Sequence, residues 1–147
     1  MTYIPEALRR LILARAHACC EYCLIPQESS LFTFEVDHII AEKHRGATVE
    51  SNLCLSCFDC NRCKGSDFAS FDLDTDEIAL LFNTRRDRWL DHFRLDGAVI
   101  QPLTPVGRVT VFLLQINDEV RVSERAALIE AGRYPPSEFP IWRIISA

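Results

Sequence analysis

Residues 54–65 read CLSCFDCNRCKG, with cysteines at 54, 57, 60 and 63, and CEYC stands upstream at residues 20–23. No other feature limits the fold so tightly. Two C-x2-C turns brought together supply four thiolates for a tetrahedral zinc site, which is closed to water and substrate. Cys20 and Cys23 make one pair. The later run offers three second pairs, Cys54/Cys57, Cys57/Cys60 or Cys60/Cys63, and spacing does not choose among them. Seven cysteines, an odd number, argue against a secreted disulfide framework. Clustered thiols in a reducing compartment point to structural Zn2+. A thioredoxin-like redox pair is the rival, but it needs a βαβ pattern that this sequence lacks.

The chain has 147 residues, 48% of them hydrophobic, enough to bury a core as a single domain over 1–147. No apolar run reaches eighteen residues, so no membrane partner is expected. The opening MTYIPEALRRLILARAHACC carries charges through its apolar face, which is unlike a signal peptide and predicts a cytoplasmic protein. The net charge of −5 weighs against a nucleic-acid partner, but its distribution softens that. Residues 67–83 hold five acids and no base, and the remainder is near neutral.

Hydrophobic spacing predicts a helix over 5–16, with Pro5 at its first position and Leu8, Leu11 and Ile12 on one face. LFTFEVDHII alternates from Phe32 as a strand does: Phe32, Phe34, Val36 and His38 on one face, Thr33, Glu35 and Asp37 on the other. A loop over 41–51, a second strand in NLCLS and a helix from about Cys60 follow. The fold class expected is α+β, a zinc-stabilised core over about 17–66 flanked by an N-terminal helix and a helical or irregular extension over about 67–147. In that extension a helix is predicted from Thr84 with Trp89 and Phe93 inward, then an extended GAVIQPL. A helix opening at Thr104-Pro105 and a last helix over 118–131, stopped by Gly132, come next. The tail RYPPSEFPIW reads as irregular, with Trp142, like Trp89, in the core.

Between the cysteine pairs lie adjacent Asp37 and His38, then Asn52, Asn61, Lys64 and Gly65. Over Cys20 to Gly65 the motifs CEYC, EVDHII, NLCLSCFDCN and KG fall in order and in register. At these residues the chain resembles the HNH endonuclease family of the ββα-metal superfamily. The stretches LFNTRRDRWLDHF and LTPVGRVTVFLL are similar to the tail of one bacterial branch of that family. The resemblance selects the zinc ligands as Cys20, Cys23, Cys57 and Cys60. It implies an activity, metal-dependent hydrolysis of DNA. It also implies that Asn52 is structural, tying the loop so that the His38 ring faces the phosphate. Ala41 stands where the family often has proline, and Arg45-Gly46-Ala47 where it often has a glycine pair. Both departures touch loop shape more than chemistry.

The chemistry supports the same assignment. Phosphodiester hydrolysis needs an activated water and a positive group for the transition state. Histidine is the natural general base near neutral pH, which assigns His38. A divalent cation, Mg2+ or Mn2+, takes oxygen ligands and needs only one or two from the protein. Asp37 and Asn61 are assigned to it, which requires a bend at the strand end because strand neighbours point to opposite faces. Lys43, Arg45, Arg62 and Lys64 are candidate nucleic-acid contacts. Arg85, Arg86 and Arg88 either line a groove or pair with Asp87 and Asp91. His17 and His92 read as structural, Cys54 as a small buried hydrophobe, and Cys63 as an alternative ligand. The alternative function is a zinc-stabilised nucleic-acid- or protein-binding module that does not cut.

Overall fold

The computed structural model describes residues 2–137, and Trp142 lies outside them. The elements run α1 (Glu6–Arg15), β1 (Glu35–His38), β2 (Leu53–Ser56), α2 (Phe58–Lys64), β3 (Ala69–Asp72), β4 (Glu77–Leu80), α3 (Trp89–His92), β5 (Phe93–Asp96), β6 (Val99–Pro102), α4 (Pro105–Leu113) and α5 (Glu119–Glu130). The fold is α+β. Among the described residues the strands form three antiparallel hairpins, β1–β2, β3–β4 and β5–β6. A lone two-stranded hairpin is marginal in water, so each must borrow stability from what packs on it. No described helix is long and apolar enough to cross a membrane.

The first helix forms where the apolar spacing predicts it, but Pro5 caps it rather than opening it. Its inward face is Ile4, Leu8, Ile12 and Ala16, and Leu11 is exposed. Strand β1 is shorter than LFTFEVDHII suggests. The N–H of Phe32 donates to Ser30 Oγ and that of Phe34 to Gln27 Oε1, at 3.1 Å each, so side chains and not a partner strand satisfy that backbone. Phe34 is buried, whereas Phe32 is exposed and stacks on Phe58. Helix α2 starts at Phe58, earlier than predicted, because Cys57 serves as its N-cap.

The extension is not merely helical or irregular, since two of the three hairpins lie in it. The acidic stretch holds β3–β4, whose faces are inverted. Phe71 and its cross-strand partner Ile78 point outward, while Asp72 is 3% exposed. Arg108 of α4 donates to both Asp72 oxygens at 2.9 Å, and this fork anchors the hairpin. Hydrogen bonds from Arg108, with help from Thr75, hold the Asp72 carboxyl well below the ordinary range. A depressed carboxyl stabilises the fold above its unfolded value near 4 and loses that contribution as pH falls toward the folded value. Urea denaturation from about pH 6 to about pH 2 should show wild type losing stability below about pH 4, and Asp72→Asn should flatten that slope.

No helix starts at Thr84. Asn83 Oδ1 accepts the N–H groups of Arg85 and Arg86, and Asp87 Oδ2 accepts that of Asn83, closing a turn instead. Helix α3 then lasts four residues before Phe93 opens β5. Trp89 and Phe93 are nonetheless buried, as expected. Thr104 caps α4 through Gly107 N–H at 3.0 Å. Helix α5 ends before Gly132, whose φ of 70° lies in the left-handed region.

Candidate metal cluster and catalytic loop

The Sγ atoms of Cys20, Cys23, Cys57 and Cys60 all lie within 4.8 Å of one another. Those of Cys23 and Cys57 are 3.7 Å apart. Zinc–sulfur bonds of about 2.3 Å in a tetrahedron put sulfurs about 3.8 Å apart, so this donor set fits zinc. All four residues are buried. Hydrogen bonding among the sulfurs, Cys20 first, holds the Cys23 thiol well below its ordinary value, while burial first of all pushes Cys60 well above. Four crowded thiols cannot all ionise unaided, and a cation at their centre removes that conflict.

Local sequence builds both turns. Leu24, in the left-handed region at φ 70°, closes the first by donating its N–H to Cys20 O. In the second, Cys57 Sγ accepts the Cys60 N–H at the start of α2. Cys54 stands outside the group, facing Tyr22 Oη at 3.8 Å, and burial pushes its thiol up to about 12. Cys63 is half-buried and is not among the four.

His38 ends β1 opposite Leu53, and Asp37 stands opposite Cys54. Past His38 the chain turns away and Asn52 holds the turn. Its Oδ1 accepts Ile40 N–H, and its Nδ2 donates to Ile40 O and Ala47 O, all at 2.9 Å. Its backbone oxygen accepts Ile39 N–H at 2.8 Å. Gly46 packs so closely on Ile40 O that a Cβ there would collide with that backbone. The His38 ring sits in this loop with Nε2 2.9 Å from Thr48 Oγ1. Thr48 is a partner that sequence reasoning missed, since a loop threonine carries no signal of its own.

Lys64 is not a surface cation. It is 2% exposed, and its Nζ donates to Asp37 Oδ2 at 3.1 Å and His38 O at 3.0 Å. The predicted nucleic-acid contact at Lys64 is therefore withdrawn: its ammonium ties the end of α2 to the end of β1. Replacing it with alanine would strand a largely buried carboxylate. Lys64→Ala should cost about 3 kcal/mol in urea denaturation, whereas Arg62→Ala should stay within about 0.5 kcal/mol.

Asn61 is half-buried on α2, and its side chain enters no hydrogen bond among the described residues. Lys43 and Arg45 are exposed beyond His38, and Arg62 is exposed over Phe58 with Asp59 beside it at 3.5 Å. Of the arginines after Thr84, Arg85 is turned inward onto buried Glu21, a partner that sequence reasoning did not consider. Arg88 lies 4.0 Å from Asp91, Asp87 is spent on the Asn83 backbone, and Arg86 is exposed. His17 falls in the turn after α1, not in the helix. His92 closes α3 with Nδ1 2.7 Å from Thr104 Oγ1.

No curated protein and no solved structure matches the chain. Residues 20–67, the span that holds both cysteine pairs, His38 and Asn61, match the family model described as HNH endonuclease, and the four-cysteine cluster fits the CxxC branch of that family.

Proposed function

We propose that the chain is a metal-dependent endonuclease that hydrolyses DNA phosphodiester bonds. The observation that carries this reading is the posture of His38. Its ring is held by Thr48 in a loop that Asn52 pins at four points, and His38 follows Asp37 at the end of β1. Such a tie is expected of a base that must meet water in one orientation. A divalent cation, Mg2+ or Mn2+, would supply charge stabilisation at the phosphate, with Asp37 and Asn61 as its protein ligands. Lys64 keeps the Asp37 carboxylate aimed by holding one of its oxygens. Asn52 positions the loop, and His38 takes the proton from the attacking water. Lys43, Arg45 and Arg62, all exposed, would meet the backbone of the nucleic acid.

The cysteine cluster holds Zn2+ as scaffold only, because four sulfur ligands leave no open position. The whole chain, 1–147, acts as a single cytoplasmic domain. Incubation of supercoiled plasmid with the full chain, with Mg2+ or Mn2+ and with a chelator, tests the proposal. Relaxed or linear plasmid that needs the cation supports cutting. Intact plasmid that is still retarded on a gel would favour the non-catalytic binding module.

A further inference from the structure

We propose that Arg121 is the counter-charge of the cysteine cluster and sets how firmly the cluster holds its metal, an inference that rests on the zinc reading above. Arg121 lies on α5, sixty-one residues beyond Cys60, and is 6% exposed. Its Nη2 is 2.9 Å from Cys60 Sγ and 3.8 Å from Cys57 Sγ. Its Nη1 donates to Leu114 O at 2.6 Å and to Gln115 O at 3.1 Å, at the end of α4. Its Nε lies 3.9 Å from Asp59.

Four thiolates around one Zn2+ leave a buried net charge of about −2. Buried charge is costly unless it is paired and hydrogen-bonded. Arg121 supplies one positive charge at contact distance, and its N–H draws electron density from the Cys60 sulfur. The α4 carbonyls fix the other half of the guanidinium. A planar fork is needed to reach both, and a lysine has no such fork. Other residues of the extension also grip the cluster but touch only its backbone. Trp89 donates to Tyr22 O at 2.9 Å and Tyr134 to Cys23 O at 2.8 Å. Arg121 alone among the described cations is hydrogen-bonded to the sulfurs.

The test compares the full wild-type chain with Arg121→Gln, Arg121→Lys and Trp89→Phe, the last losing a neutral bond to the backbone of the other cysteine turn, at Tyr22 O. Zinc transfer to a competing chelator is timed at a temperature where each protein is folded by circular dichroism. The thiolate-to-metal charge-transfer band is read after Co2+ substitution. Arg121→Gln should release zinc about tenfold faster than wild type, and well ahead of Trp89→Phe. Its band should move to longer wavelength, because the freed Cys60 sulfur donates better. Arg121→Lys should fall between wild type and glutamine in both. Equal release from Arg121→Gln and Trp89→Phe with an unmoved band would make Arg121 a packing residue and overturn the proposal. Should Arg121→Gln fail to fold, wild-type release and an unmoved band in Arg121→Lys would overturn it equally. A folded wild-type chain that takes up neither zinc nor cobalt would overturn the zinc reading itself.

Discussion

Replacing His38 by alanine is expected to lower the plasmid-cleavage rate by about 10²- to 10⁴-fold, the worth of a positioned general base. The fold should survive. His38 is only half-buried, its ring has one side-chain hydrogen bond, and its backbone oxygen on Lys64 is kept by any residue. The loss should therefore appear in rate, with zinc content and urea midpoint near wild type. Thr48→Val gives a graded companion. The bond between His38 Nε2 and Thr48 Oγ1 fixes which ring nitrogen carries the proton, and the valine releases the ring from that tautomer. One hydrogen bond of roughly 1.4 kcal/mol corresponds to about tenfold in rate. If folded His38→Ala cuts as fast as wild type, His38 is not the base. Cleavage unchanged by Thr48→Val alone would mean that the ring leaves Thr48 before it acts.

Much of the candidate site was legible because its parts are local. A C-x2-C turn needs only its own few residues, and Asp37-His38 are neighbours at a strand end. Asn52 pairs with a segment twelve residues away through a side chain suited to two-way amide bonding. Thr104-Pro105 carries its capping chemistry in itself. What escaped depends on distant partners. In the sequence Lys64 is a candidate nucleic-acid contact, but nothing in KG says that its ammonium is used up by Asp37 and His38 O. Alternation assumes that apolar residues face inward, and β3–β4 reverses it because Arg108 makes burial of Asp72 favourable. Nothing in the helical stretch 118–131 marks Arg121 until the fold sets it against sulfur. The surplus phenylalanine at 32 made a strand look longer than the hydrogen bonds of Gln27 and Ser30 allow.

Removing the metal should have a larger effect on the fold than any single substitution. Structural zinc contributes about 10–16 kcal/mol in small domains near neutral pH. Whole domains are stable by only about 5–15 kcal/mol. The hairpin β1–β2 has four residues per strand and α2 seven, too little to persist on their own. Besides the sulfurs, Glu21 helps join the two segments: its carboxylate accepts Leu55 N–H at 2.8 Å and meets Arg85, and its own N–H donates to Leu55 O. The extension leans on the first cysteine turn through Trp89 and Tyr134 and on the second through Arg121, so its packing should be lost with the cluster. Chelation at neutral pH should thus abolish near-ultraviolet ellipticity in one transition and open residues 20–67 to protease. The four cluster cysteines should then react with thiol reagents, and added Zn2+ should reverse all of it. Cys60→Ser should behave as the stripped protein does, because a hydroxyl is a far weaker ligand than a thiolate. Cys63→Ser should leave zinc content and melting near wild type, since that sulfur stands outside the four. A stripped chain that keeps its ellipticity and melting temperature would reduce the cluster to ordinary buried cysteines, held by packing alone.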